Sequence, residues 1–356
     1  MSLLNYRIHH LKPYTPGEQP DRNQNFIKLN TNENPYPPTP EIKKRVEEII
    51  NAGDLRKYPN PISKGLVEEI AKQNNLKENQ ILVTNGSDEG LALLFKGVLE
   101  KKSRVILPYP TYSLYPVLAY IQMNDSIPVK IPLRPNMHFD FPKLKKKQGK
   151  LLTFAYPNAP TGILENKEDI IDLVANFSGI VLCDEAYIDF APRDSSMIDQ
   201  ITNFENLVVS RTFSKSYSLA GLRVGYLAGN TKIISELYKL KDSYNLGMLE
   251  QEIALAALKD IDYFQKNINK VIQSRIWLKS KLEKFSFIVY DSQTNFLYTK
   301  PPENLPAETL YNLLKKDKIL VRYFSDEVCK DYIRISVGNE EENRELITKI
   351  GTYLSI

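Results

Sequence analysis

The chain is expected to adopt an α/β fold: a large domain with a mainly parallel central sheet between helices, then a smaller α+β domain. Three observations lead there. The 356 residues exceed one ordinary domain and suggest about two. From Ile81 to Gly229, short apolar runs alternate with stretches of helical spacing. After about residue 245 that alternation gives way to long helical stretches followed by a set of short strands.

In chain order, residues 1–28 are polar and carry Pro13, Pro16, Gly17 and Pro20, so they read as an extended N-terminal arm. Pro35, Pro37, Pro38 and Pro40 form a rigid turn region, with helices expected over 40–52 and 63–74. The strand series is ILVT (81–84), RVILP (104–108), IPVKI (127–131), LLTFAY (151–156), IVLCD (180–184), LVVS (207–210) and VGYLAG (224–229). These runs are rich in β-branched residues and apolar on both faces, as a sheet covered by helices requires. Helical spacing separates the early strands at 87–99 and 112–120. The large domain is therefore assigned to 29–245 and the small one to 246–356. The latter holds helical stretches at 249–284, strands near 286–291, 294–299, 318–323 and 332–336, and a last helix from about Glu340. PPENLP (301–306) interrupts it as a loop.

Composition narrows the function. Hydrophobic residues at 42% and charged residues at 25% match a globular protein and exclude wholesale disorder. The net charge of +4 is mild and suits anionic ligands better than nucleic acid. The one dense basic run, Lys143 to Lys150, reads as a solvated helix end or loop. Cys183 and Cys329 make no disulfide framework and fit a reducing, cytoplasmic setting. The N-terminus lacks the apolar core of a signal peptide, and no stretch reaches the roughly 18 apolar residues of a membrane span. His9, His10 and His138 show no metal-ligand spacing, so no metal site is expected.

Four motifs carry chemistry. Ser210–Tyr226 reads S-R-T-F-S-K-S-Y-S-L-A-G-L-R-V-G-Y between two strands. Lys215 lies among Thr212, Ser214 and Ser216, with Arg223 eight positions on. Burial and nearby positive charge would lower the pKa of Lys215 and make it a nucleophile. The hydroxyls and Arg223 suit a dianionic phosphate. Asp184-Glu-Ala-Tyr187 ends an apolar strand, where ligands of open α/β sheets bind, although a strand-end Asp can equally cap a helix. Tyr156-Pro-Asn-Ala-Pro-Thr-Gly162 would hold the Asn158 amide between prolines, or be a plain turn. Thr84-Asn-Gly-Ser-Asp-Glu89 opens a helix, where backbone N–H groups, Gly86 and Ser87 can receive an anion. Tyr112 follows the next strand and could stack on an aromatic group or simply pack.

Taken in this order, the motifs resemble fold-type-I pyridoxal-phosphate (PLP) aminotransferases of the class II group that includes histidinol-phosphate aminotransferases. Leu29-Asn-Thr-Asn-Glu-Asn-Pro35, Arg56-Lys-Tyr-Pro59, Ile319-Leu-Val-Arg322 and Tyr332-Ile-Arg-Ile-Ser-Val-Gly338 extend the resemblance over nearly the whole chain. Tyr156 and Ala159 depart from a common N-P-N-N-P-T-G form. The resemblance implies roles. Lys215 carries the cofactor covalently and moves the proton, and Asp184 holds the pyridine nitrogen. Asn158 and Tyr187 bond the phenolic oxygen, and Tyr112 stacks on the ring. Gly86, Ser87, Asp88, Thr212, Ser214 and Arg223 surround the phosphate. Tyr58 reaches the cofactor of a second subunit in a homodimer with shared sites. Asn32, Arg334, Arg322 and Tyr14 face the substrate, a small amino donor or 2-oxo acid. An aromatic-amino-acid transaminase and a PLP-dependent decarboxylase of phospho-amino acids share most of these motifs. A cofactor-binding regulator would need a further module that the short arm does not supply.

Overall fold

The computed structural model describes residues 9, 11–122 and 127–355; residues 1–8 and His10 of the expected arm lie outside the described residues. The strands are β1 (Ile27–Lys28), β2 (Ile81–Asn85), β3 (Arg104–Tyr109), β4 (Ile127–Pro132), β5 (Leu151–Ala155), β6 (Ile180–Asp184) and β7 (Leu207–Thr212). Then come β8 (Val224–Gly229), β9 (Ile288–Val289), β10 (Phe296–Lys300), β11 (Ile319–Leu320), β12 (Arg322–Tyr323) and β13 (Ile333–Ser336).

Among the described residues, seven strands form the large sheet in the order β2-β8-β7-β6-β5-β3-β4. Pairing is parallel from β7 to β4, whereas β8 runs antiparallel to both β7 and β2. The apolar runs are uninterrupted because side chains alternate between two cores. Leu152, Val181, Cys183, Val209 and Ala228 enter one; Leu151, Leu182, Val208 and Leu227 enter the other.

This topology positions the site. Strands β3, β5, β6 and β7 are mutually parallel, and β2, antiparallel to β8, points the same way. All five carboxyl ends therefore lie along one edge, together with the amino end of β8. The motifs after Asn85, Tyr109, Ala155, Asp184 and Thr212, and Arg223 before β8, are gathered there, as expected for ligand sites of open α/β sheets.

The smaller sheet is antiparallel, in the order β12-β13-β10-β9. β1 pairs in parallel with β11, and Leu29 packs in the core beneath the small sheet. The end of the arm thus joins the small unit before the chain enters the large one. At the other division, helix Met248–Lys259 gives Ile253, Ala254, Ala257 and Leu258 to the core of the large sheet. By packing it belongs with that sheet, although the division was expected at 245/246. The helical stretch expected over 249–284 is interrupted at Asp260, which accepts from the Tyr263 N–H and caps helix Ile261–Lys284.

Candidate active site

A cavity of about 320 Å³ opens at the carboxyl edge of the large sheet, between it and the small unit. Thirteen residues singled out from the sequence line it: Tyr14, Asn32, Ser87, Asp88, Tyr112, Asp184, Tyr187, Thr212, Ser214, Lys215, Arg223, Arg322 and Arg334.

Lys215 follows β7, and its Nζ donates to the Thr31 carbonyl at 3.0 Å. Burial and the charge of Arg334 lower its pKa to about 8, partly opposed by Glu33 and Asp88. At neutral pH roughly a tenth of this amine is then unprotonated, far more than for an exposed lysine. Asp184 ends β6 and is 3% exposed. Burial pushes its carboxyl up to about 7, against the pull of a 2.8 Å hydrogen bond that Oδ2 accepts from Tyr115. Oδ1 is buried with no hydrogen-bond partner among the described residues. A buried carboxyl oxygen without a donor is unfavourable, so this atom calls for a donor or cation from a ligand.

Tyr187 lies three residues after Asp184, in the turn that leads into the short 3-10 helix Ile188–Phe190. Its hydroxyl accepts from Asn32 Nδ2 at 2.9 Å, which leaves its own O–H free to donate. Burial raises its pKa, so it stays neutral. Asn32 has φ of +55°, and Ser336 bonds both its N–H (2.8 Å) and its Oδ1 (3.1 Å). The expected substrate residue Asn32 therefore gives one of its two amide N–H groups to Tyr187.

The residues expected around an anion come together from two segments. Helix Gly86–Val98 presents its N-terminus, the end of β7 supplies Thr212, and the turn after it supplies Ser214. The Arg223 guanidinium lies 3.4 Å from Ser214 Oγ and 3.0 Å from Asp88 Oδ2. Gly86 has φ of +73°, and a Cβ there would lie 2.5 Å from Arg223 Nη2. Only glycine lets that guanidinium reach the helix N-terminus. Asp88 also accepts from the Tyr112 hydroxyl at 3.3 Å, so it orients the arginine and the tyrosine together.

At the opposite side, Arg334 Nη2 donates to the Asn30 carbonyl at 3.1 Å, while its buried Nε has no partner among the described residues. Its guanidinium lies against Phe296 and Phe324, at 5.2 and 5.7 Å from the ring centres. Arg322 donates to the Thr15 and Pro16 carbonyls at 2.9 and 3.1 Å. That strap holds Tyr14 edge-on to Tyr112, 5.8 Å between centroids.

Asn158 and Tyr58 do not line the cavity. Asn158 is buried behind the cavity wall, with Nδ2 within 3.0 Å of Thr161 Oγ1 and 3.4 Å of the Pro110 carbonyl. These acceptors take up its N–H groups, so the amide presents its unpaired Oδ1 and not the expected donor. Tyr58, expected at the cofactor of a second subunit, is 80% exposed and stacks on Tyr244 at 4.5 Å. Sequence reasoning missed Tyr115, Tyr109, Lys130, Phe324 and Asp326, all at the cavity or in contact with its residues. Tyr109, Lys130 and Tyr115 lie in ordinary strand or helix patterns, Phe324 and Asp326 lie in the loop after β12, and no local spacing marks any of them.

The sequence model of the family described as aminotransferase class I and II matches residues 24–350. Histidinol-phosphate aminotransferase of Brachyspira hyodysenteriae is 41% identical over 98% of this chain and 98% of its own. Histidinol-phosphate aminotransferase 1 of Trichormus variabilis is 39% identical over 99% of this chain and 100% of its own. In three dimensions the chain is similar to histidinol-phosphate aminotransferase of Sinorhizobium meliloti in complex with pyridoxal-5'-phosphate. The TM-score is 0.89 and the identity 23%, over 100% of this chain and 98% of that one, a likeness of fold.

Proposed function

Because the chain belongs to the class I and II aminotransferase family, we propose that it interconverts histidinol phosphate plus 2-oxoglutarate and imidazole-acetol phosphate plus glutamate. The enzyme is an aminotransferase that works with pyridoxal 5'-phosphate. The choice of substrate is carried by the 39–41% identity to relatives of that name over nearly full length. Three features of the cavity fit the cofactor. The buried, unpaired Asp184 Oδ1 suits a protonated ring nitrogen. The Gly86–Arg223 approach suits a phosphate. Buried Lys215, with its lowered pKa, suits an amine that must be both nucleophile and base.

When bound, the cofactor supplies a conjugated ring that accepts the electron pair left by a departing α-proton. The chain does the rest. Lys215 Nζ, unprotonated for part of the time, takes the α-proton and returns it. Asp184 keeps positive charge at the ring nitrogen. Tyr187, held by Asn32, donates its O–H into the cavity. Arg223, Ser87, Thr212 and Ser214 bind the phosphate and fix position. Arg334 offers the substrate an unpaired N–H, and a guanidinium fork suits a carboxylate and a phosphate ester alike. Tyr14, Tyr112 and Phe324 narrow the mouth and exclude water.

The functional unit we propose is a cytoplasmic homodimer with shared sites. The exposed Tyr58, Leu55, Ile62 and Tyr244 support an apolar contact with a second copy. Two buried free cysteines suit a reducing compartment, and among the described residues no helix is long and apolar enough to cross a membrane. Mixed dimers of Tyr58→Phe and Lys215→Ala should regain activity beyond that of the separate mutants; no gain would place Tyr58 in its own subunit's chemistry. The substrate is tested by incubating the holoenzyme with histidinol phosphate, phenylalanine and O-phosphothreonine, with glutamate and carbon dioxide both measured. Glutamate formed fastest from histidinol phosphate is expected. Faster turnover of phenylalanine, or release of carbon dioxide, would replace the assignment.

A further inference from the structure

The two oxygens of Asp184 have different surroundings. Oδ2 accepts the Tyr115 hydroxyl at 2.8 Å, and Oδ1 is unpaired on a side chain that lines the cavity. Tyr115 is fully buried on helix Leu114–Ile121. Its ring stands edge-on to Tyr112 at 5.5 Å and packs in the core that holds Leu107 and Leu182. It has no room to turn away, so its hydroxyl is a fixed donor.

We propose that Tyr115 is a positioning residue for the transfer reaction, anchoring Asp184 Oδ2 so that Oδ1 stays turned into the cavity as an ionised partner for the cofactor's ring nitrogen. The inference rests on the reading of Asp184 given above. A carboxylate in an apolar pocket tends to protonate or to rotate toward any available donor. One rigid phenol opposes both. It stabilises the ionised form and removes one rotational choice, so the second oxygen meets the ring. The competing account is that a buried phenol merely needs an acceptor, in which case its removal affects stability alone.

The test uses Tyr115→Phe, Asp184→Asn and the double variant, each as holoenzyme. Loss of one hydrogen bond to a charged group should lower kcat of Tyr115→Phe about ten- to a hundredfold, with KM little changed. Cofactor release should quicken, and the pH midpoint of the cofactor's visible absorbance should move. The double variant should be no worse than Asp184→Asn, because the phenol acts through the carboxylate. If Tyr115→Phe keeps wild-type kcat, cofactor affinity and midpoint while Asp184→Asn loses them, the inference is overturned and the Asp184 reading stands. A lowered melting temperature as the sole effect overturns it in the same way, and so do additive losses in the double variant. If Asp184→Asn turns over normally, the reading of the site itself fails.

Discussion

Arg322 was expected to face the substrate, yet its guanidinium also donates to the Thr15 and Pro16 carbonyls. Arg322→Ala should therefore loosen the arm as well as remove a charge. Each hydrogen bond from a charged donor contributes about 1.5–3 kcal/mol when buried. Here the side chain is partly exposed and water competes, so about 1–2 kcal/mol for the pair is reasonable. That amounts to a five- to thirtyfold shift in the equilibrium between docked and loose arm, on the order given by the thermal energy. Hydrogen exchange of the segment around Thr15–Gly17 should speed up by that factor while β6 is unaffected. kcat/KM for histidinol phosphate should fall as well, because Tyr14 is held less often against Tyr112. Arg322→Lys should be intermediate: a single ammonium spans two carbonyls poorly. If arm exchange is unchanged in Arg322→Ala, the strap contributes nothing, and any loss of activity belongs to direct substrate contact.

Other outcomes follow from the same geometry. Gly86→Ala should weaken cofactor binding about tenfold or more, since the added Cβ displaces Arg223 and the positive φ is strained; an unaltered dissociation constant would separate Arg223 from the phosphate. In apoprotein, labelling of Lys215 by an amine-reactive reagent should rise with a midpoint near the pKa of about 8, against 10.5 for an ordinary lysine; peptide mass analysis finding a midpoint near 10 would contradict its burial. Asp184 keeps its proton in the fold from its ordinary 3.8 up to about 7, so the folded form binds the extra proton and stability falls as pH rises through that window. Apo Asp184→Asn should consequently be more stable than wild type at pH ~8, on the order of 2–4 kcal/mol, with little gain near pH ~4. Equal urea midpoints at both pH values would contradict this.

Much of this protein was legible in its sequence because the signals are local. A strand covered on both faces needs an unbroken apolar run, and IVLCD and VGYLAG span β6 and β8 residue for residue. Lys215, Asp184 and Arg223 stood out because they lie beside the ends of such runs, where ligands of open α/β sheets bind. Helices Lys167–Ala175 and Thr231–Tyr238 went unread, although Asn166 and Asn230 cap them and each buries an apolar stripe, because a stripe of about two helical turns is too short to stand out between strands.

Tertiary structure decided what depends on distant partners. Asn32 and Tyr187 are 155 positions apart, yet share the hydrogen bond that leaves the tyrosine as a donor. Asp184 meets Tyr115 from another strand–helix unit, and Arg322 meets an arm 306 positions away. Sequence determines which groups exist and which strand ends carry them, since side-chain chemistry and period-two alternation are properties of the local chain. Which oxygen of a carboxylate is held and which left open is set by strand order and by the meeting of two units. Those long-range contacts leave no imprint on neighbouring residues.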